Sequence, residues 1–305
     1  MPGEPLRSRL ARSTLRPIPA ERATQWQGTL LVMAAAVCFS TAILFVRLTE
    51  GMGAGSIPFF RALFGFLFLC LLLPRNPAAL RVRAYRPAVG RLVLLGLTVG
   101  LTAALFTYSI QHTTAAIAAL LVNSAPIYVA VLAPLLLHEA SARFTRISIP
   151  LAAVGMVLLV DPGAITLEWE TLDGVIAAAL SGITYGMAMM MGRGLRHAVS
   201  GYTQTLWSLG ITTLLLLPFA FSTPGDILLD NLPILIPLGI FSLGLSYLFY
   251  FMGLERISAQ VVSVVSLFEP VSGILIGILA FGEMLTPAGG AGGALILLSI
   301  LLIAR

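Results

Sequence analysis

The twelve residues GLTAALFTYSIQ (100–111) recur in altered form as GLSYLFYFMGLE (244–255), 144 positions further along the chain. With the same offset, Pro126 aligns with Pro270 and Glu139 with Glu283. A second alignment, with an offset of 146, pairs Phe39 with Tyr185 and Arg47 with Arg193. Agreement that extends so far beyond the repeated phrase predicts an internal duplication, with a first repeat at 28–160 and a second at 174–305.

The composition indicates that both repeats lie in a lipid bilayer. Hydrophobic residues make up 58% of the 305 positions and charged residues only 10%, against about 25% charged in soluble domains. Apolar runs near the length of a bilayer crossing, about 20 residues, recur along the whole chain. A lone segment in hydrocarbon must satisfy its own backbone hydrogen bonds, so we predict an all-α membrane protein. We number the predicted spans 1 to 10, at about 28–48, 56–74, 91–110, 114–137, 146–160, 174–192, 201–221, 232–252, 258–281 and 288–304.

The arginines predict how these spans are oriented. All 18 basic residues are arginine, and 16 of them precede span 1, follow span 10 or lie in alternate loops, while acidic residues occupy most of the other loops. By the positive-inside rule both termini are cytoplasmic, which requires an even number of spans. Residues 1–27 are rich in Arg and Pro and predict a flexible cytoplasmic tail. We therefore expect a multi-pass protein of a bacterial-type inner membrane.

Each predicted repeat contains five spans, so the second repeat enters the membrane from the opposite side. Glu139 is then inside and Glu283 outside. Inverted repeats that enclose a site at the bilayer midplane are typical of secondary transporters.

Several other functions lack the residues they need. The chain has no lysine, so it contains neither a P-loop nor a lysine Schiff base. His138 and Glu139 are not part of an H-E-x-x-H motif, and no G-x-S-x-G motif occurs. Cys38 and Cys70 lie in separate apolar spans and have no metal-site spacing. We predict no enzyme activity, catalytic residue, cofactor, metal site or nucleic-acid partner.

The motifs resemble those of a known transporter superfamily. The chain is similar to the drug/metabolite transporter superfamily, to its EamA-type exporters and, among these, to the YddG-like amino-acid exporters. The residues that carry this resemblance are Phe39-Ser40-Thr41 in span 1, Arg61 in span 2, the Gly-Leu phrases at Gly100 and Gly244, and the Pro126/Glu139 and Pro270/Glu283 pairs. The resemblance implies a basket of ten helices around a cavity lined by spans 1–4 and 6–9. Spans 5 and 10 would then be peripheral.

Two charged residues within the spans are candidates for function because charges are costly there. Glu269 precedes Pro270 in span 9 and aligns with Ala125, so the duplicated fold does not itself require this carboxylate. It is either a counter-charge for an ammonium group, a proton carrier, or a hydrogen-bonded helix contact. Arg61, which aligns with Thr205, is predicted to be an interfacial anchor or part of an ion pair, with capture of a carboxylate as the alternative. Arg47, at the end of span 1, is expected to extend toward the lipid headgroups.

Neutral polar and aromatic side chains inside the spans complete the predicted site. A zwitterion can hydrogen-bond to such groups and pack on apolar walls, although Ser and Thr also join membrane helices and Tyr and Trp form interfacial belts. The candidates are Ser40, Thr41, Tyr108, Asn123, Ser124, Tyr185, Trp207, Ser246, Tyr247, Tyr250, Ser263, Ser266 and Glu269. Gly100, Pro126, Gly244 and Pro270 are the predicted gating positions, in spans 3, 4, 8 and 9.

The sequence thus predicts a secondary transporter that exports small metabolites, in particular amino acids with aromatic or apolar side chains, by alternating access. A proton is a candidate coupling partner, and the protein is expected to be a monomer or a weak homodimer, since the Gly289–Gly293 cluster serves either internal packing or dimerisation. Alternatives are a nucleotide-sugar, drug or quaternary-amine carrier and, from another class, a channel or a membrane scaffold.

Overall fold

The regular structure of the described chain is helical. The computed structural model describes residues 20–52, 55–139, 144–160, 169–282 and 284–304, and every regular element in these ranges is a helix. Glu283 and the loop 161–168 lie outside them. The helices are α1 (Ala20–Leu48), α2 (Ser56–Leu71), α3 (Val89–His112), α4 (Ala115–Val122), α5 (Ala125–Leu137), α6 (Thr145–Val160), α7 (Leu172–Leu195), α8 (Gly201–Leu216), α9 (Gly225–Gly239), α10 (Ser246–Arg256), α11 (Ala259–Val265), α12 (Phe268–Phe281) and α13 (Pro287–Ile303).

The helical segments follow the predicted spans. In the described residues, seven helical segments are long and apolar enough to cross a membrane, and three shorter apolar helices, α2, α6 and α13, coincide with predicted spans 2, 5 and 10. The chain is therefore a multi-pass membrane protein. Its ten-span topology and cytoplasmic termini remain predictions.

The first helix differs from its prediction in one respect. α1 begins at Ala20, so residues 20–27, predicted as part of a flexible tail, are helical. Gln25 Nε2 donates a hydrogen bond to the carbonyl of Ala304 at 3.4 Å. This contact holds the beginning of α1 against the end of α13 and brings the two termini of the bundle to the same end.

In the described residues, three of the predicted spans depart from a continuous α-helix away from their ends. Span 4 is divided into α4 and α5 at Asn123–Ser124, and span 9 into α11 and α12 at Ser266–Leu267. Pro126 and Pro270 lie in the first turns of α5 and α12. Backbone N–H groups in the first turn have no acceptor within the helix, so a proline there removes no helical hydrogen bond. The helices are interrupted before these prolines rather than bent at them. In span 8 a π-helix, Ile240–Leu245, joins α9 to α10.

Helices of the two halves pack mainly on each other. α3 packs against α7 and α8, while α10 packs against α1 and the π-helix against α2. A Cβ on Gly100 would lie 3.4 Å from the Cα of Thr212, and one on Gly244 would lie 3.3 Å from the carbonyl oxygen of Gly65. Gly100 and Gly244 thus serve close helix packing.

The closest approach of α6 and α13 depends on Gly292. A Cβ there would lie 2.5 Å from the carbonyl oxygen of Gly155 and 2.6 Å from the amide nitrogen of Leu159. This face of the Gly289–Gly293 cluster therefore packs within the chain.

Gly292→Ala is expected to destabilise the protein by about 1–3 kcal/mol, because the backbones of α6 and α13 must separate to admit the methyl group. Gly293→Ala is the matched control, since its Cβ would meet only the flexible end of Leu159, at 3.7 Å. Both changes gain the same helix propensity. Thermal unfolding in detergent checks the expectation, and equal midpoints for the two variants would contradict it.

Candidate substrate-binding cavity

A cavity of about 560 Å³ lies between helices of the two halves. Its walls come from α1 to α4, α6 to α8, the π-helix, α10 and α12. Most of the lining is aliphatic, as is usual for small-molecule sites. The polar and aromatic residues that line it are Phe39, Ser40, Arg47, Arg61, Thr102, Phe106, Thr107, Asn123, Tyr185, Thr212, Tyr247 and Glu269.

The cavity extends to one end of the bundle. Its lining residues run along α1 from Phe39 and along α3 from Val99 toward the C-terminal ends of these helices, and they reach Arg47 and Ile110, both of which are exposed. Toward the other end the cavity stops at Tyr185 and Tyr247, and the next aromatic residues, Tyr250 and Phe251, are buried. The cavity is therefore accessible from the end at which α1 and α3 terminate.

An ion-pair cluster joins helices at the opposite end of the bundle. Arg193 Nε donates to Glu139 Oε1 at 2.6 Å, and both side chains are nearly buried, with exposed fractions of 12% and 13%. Arg193 Nη1 also donates to the carbonyls of Leu254 (2.6 Å) and Glu255 (2.9 Å). The second carboxylate oxygen of Glu139 accepts from the amide of Ala259 at 3.3 Å. Glu139, just after α5, is thereby bonded to α7 and to the start of α11, and Arg193 ties α7 to the end of α10.

Two residues of opposite charge lie deeper in the cavity wall. Glu269 is in the first turn of α12, where the helix dipole favours a negative charge. Arg61 donates from Nε to Ser242 Oγ at 2.7 Å and from Nη2 to the Ser242 carbonyl at 2.8 Å. At the mouth, the guanidinium of Arg47 lies 4.7 Å from the centre of the Phe281 ring.

Aromatic rings form the closed part of the cavity. Phe39 meets Tyr247 edge-on with 5.0 Å between ring centroids. Tyr185 stacks on Tyr250 at 6.4 Å, and Tyr247 stacks on Phe251 at 5.8 Å. Aromatic rings can bind a cation through their faces, and they can also pack against an apolar side chain.

Comparison with known proteins identifies the family. The chain matches the EamA-like transporter family twice, over residues 26–161 and 172–305. It belongs to this family, within the drug/metabolite transporter superfamily. An uncharacterized transporter of Archaeoglobus fulgidus is 32% identical over 285 residues, which cover 90% of this chain and 95% of the relative. An uncharacterized transporter of Clostridium kluyveri is 24% identical over 270 residues, covering 84% of this chain and 86% of the relative. A solved crystal structure superposes with a TM-score of 0.74 at 18% identity, over 90% of this chain and 95% of that chain, which indicates a shared fold.

Five of the predicted site residues line the cavity of this EamA-like transporter. They are Ser40, Asn123, Tyr185, Tyr247 and Glu269. Two of them also bond within their own helices, since Ser40 Oγ donates to the Val37 carbonyl at 2.8 Å and Asn123 Nδ2 to the Ala119 carbonyl at 2.9 Å.

The other eight candidates do not line the cavity. Thr41, Ser124, Ser263 and Ser266 donate to carbonyls of preceding residues, the ordinary bond of a hydroxyl within a helix. Ser246 and Tyr250 are buried behind the cavity wall. Trp207 Nε1 lies 3.4 Å from the Tyr85 hydroxyl. Tyr108 is exposed, bonds to Asp173 at 2.8 Å and stacks on His112. Tyr108 is therefore outside the cavity that the five other candidates line.

The predicted gating positions do not all line the cavity. Pro270 lines the cavity, whereas Pro126 is buried outside it and Gly100 and Gly244 hold neighbouring helices together. The expectation that span 5 is peripheral is wrong, because Met156, Leu159 and Val160 of α6 line the cavity. Span 4 is interrupted at Asn123, and the short helix α4 is its only helix in this part of the wall. Helix α6 contributes to the same part of the wall.

Several residues of the cavity were not among the predicted site residues. Arg61, for which capture of a carboxylate was the alternative to an anchor or ion pair, lines the cavity, and so does Arg47, which was expected to contact headgroups. Thr102 and Thr212 also line it, and Thr102 Oγ1 donates to Thr184 Oγ1 at 2.8 Å. No sequence signal separates these threonines from ordinary helix-packing residues. For Arg61 a sequence signal does exist, because a charged residue inside a predicted span is a candidate for function.

Proposed function

We propose that this protein is a secondary transporter that exports small metabolites, and amino acids in particular, across the inner membrane by alternating access. The observation that carries the substrate class is Glu269. It is the only acidic side chain among the described residues of the cavity wall, and it lines the same cavity as Tyr185 and Tyr247. A carboxylate among aromatic rings suits the ammonium group of an amino acid.

The two ends of the cavity support alternating access. One end is accessible, and the other is closed by Glu139 and Arg193. The arginine-rich loops lie at the closed end, so the positive-inside rule makes this end cytoplasmic and the accessible end outer. Two family matches in one chain and cross-half packing favour inverted repeats that exchange conformations. Transport then requires the Glu139–Arg193 pair to separate.

A quaternary-amine carrier is the second candidate. Phe39, Tyr185 and Tyr247 surround the closed part of the cavity, and aromatic faces bind cations that cannot donate hydrogen bonds. This candidate needs Glu269 and the rings but gives no role to Arg61. Nucleotide-sugar and drug carriers remain alternatives within the superfamily.

Counterflow in proteoliposomes tests the proposed function. Purified protein is reconstituted with an unlabelled panel of amino acids, quaternary amines and nucleotide sugars, and uptake of the matching labelled compound is followed. We expect saturable counterflow of an amino acid, with choline and nucleotide sugars inactive. Counterflow of choline alone would support the second candidate, and an ionic current too fast for a rocking cycle would indicate a channel. Tyr108→Phe, at an exposed hydroxyl outside the cavity, is the control for reconstitution.

A further inference from the structure

Arg61 and Glu269 present opposite charges to one cavity from different halves of the chain. Both side chains line it. Among the described residues, however, the ion pairs within 4 Å do not include this pair. Unpaired charges at this depth are costly and are retained where a ligand or an ion compensates them.

The guanidinium of Arg61 is held in a defined orientation. Its Nε and Nη2 groups both bond to Ser242, and Ser242 Oγ in turn donates to the Leu238 carbonyl at 2.5 Å. These bonds use one edge of the planar guanidinium. No hydrogen bond from Nη1 to the described residues is present, so the Nη1–Nη2 edge is left for a ligand. An arginine edge of this kind binds a carboxylate through two parallel hydrogen bonds.

The π-helix places Ser242 where Arg61 reaches it. In a π-turn the backbone hydrogen bonds run to the fifth residue instead of the fourth. Here the Ser242 carbonyl accepts from Arg61. Gly65, one turn after Arg61 on α2, allows the approach, because its Cβ would lie 3.0 Å from the Gly239 carbonyl oxygen. The bonds to Ser242 thus fix the guanidinium before any substrate arrives.

We propose that Arg61 and Glu269 together bind the head group of a zwitterion, with Arg61 taking its carboxylate and Glu269 its ammonium group. This inference rests on the proposed transport function and narrows its substrate class to molecules that carry both charges. A simple amine would leave Arg61 uncompensated, and a simple carboxylate would leave Glu269 uncompensated. Only a zwitterion satisfies both without adding net charge to a low-dielectric site. Phe39, Tyr185 and Tyr247 then contact its side chain.

Equilibrium binding to purified protein tests the inference with matched ligands. The twenty amino acids are measured first, then phenylalanine and leucine against their decarboxylated amines (phenethylamine and isopentylamine) and their deaminated acids (3-phenylpropanoate and 4-methylpentanoate). We expect wild-type protein to bind an amino acid at least about tenfold more tightly than its amine or acid, since each lost charged hydrogen bond costs about 1.5–3 kcal/mol. Failure of every amino acid to bind would overturn the inference. Counterflow of another compound would still leave the transport function standing.

Variants separate carboxylate binding from a structural role of Arg61. Arg61→Gln is expected to weaken amino-acid binding by about 10- to 100-fold while leaving binding of the amine unchanged or stronger. Arg61→Lys keeps the charge but loses the planar edge and should be intermediate. Ser242→Ala tests the positioning of the guanidinium and should weaken binding of amino acid and acid, with little effect on the amine. An equal loss for amino acid, amine and acid in Arg61→Gln, at an unchanged unfolding temperature, would overturn the assignment.

Discussion

Transport by the Glu269→Gln variant is expected to fall by about 10- to 100-fold relative to wild type. The amide keeps the shape of the side chain but removes the only negative charge among the described residues of the cavity wall. Hydrogen bonds to charged groups contribute about 1.5–3 kcal/mol, which corresponds to this range of rates. Initial rates of counterflow in proteoliposomes, with the amino acid found active in the panel, measure the effect.

The dependence of that rate on pH separates two roles of Glu269. If the carboxylate carries a coupling proton, the residual transport by Glu269→Gln loses the pH dependence of the wild type. If it binds only the ammonium group, the rate falls but keeps its pH dependence. Glu269→Asp keeps the charge and controls for folding. An unchanged rate and pH profile in Glu269→Gln would exclude both roles.

Neutralising Glu139 is expected to open the closed end of the cavity. Glu139→Gln removes the charge from a 2.6 Å pair in which both side chains are nearly buried. Arg193 is then left with backbone carbonyls and an amide as its partners. Loss of a charged hydrogen bond weakens the closed state by about 1.5–3 kcal/mol, which shifts the balance between closed and open states by about 10- to 100-fold.

A cysteine placed at the closed end reports this shift. Ala188 is buried one turn before Gly192, which packs against Phe251. Ala188→Cys, with Cys38 and Cys70 replaced by serine, is labelled by a membrane-impermeant maleimide applied from the cytoplasmic side. Glu139→Gln should accelerate labelling, whereas Asp226→Asn, the same change at an exposed acid, should not. Equal labelling rates would show that the pair does not hold this end closed.

Much of the fold was predictable because insertion into lipid depends on local composition. Each of the ten predicted apolar segments is helical over most of its described residues. The family matches at 26–161 and 172–305 lie close to the repeats expected at 28–160 and 174–305. The interruptions at Asn123 and Ser266 and the π-helix around Ser242 were not anticipated, because they depend on contacts with other helices.

The site was predictable only in part. Glu269, Tyr185 and Tyr247 line the cavity as expected, while Tyr108 and Trp207 do not. A polar residue in a span faces a cavity, another helix or lipid according to the rotation of its helix. That rotation is set by residues far away in sequence, such as Gly65 against Gly239.

The sequence by itself determined that this chain is helical, lies in a membrane and belongs among transporters, since hydropathy and the positions of the arginines act residue by residue. Only the tertiary structure decided that Arg61 bonds to Ser242, that α6 lines the cavity and that Glu139 meets Arg193. Each of these contacts joins elements from distant parts of the chain. Side-chain hydrogen bonds form only within about 3.5 Å, so their partners become known once the helices are packed.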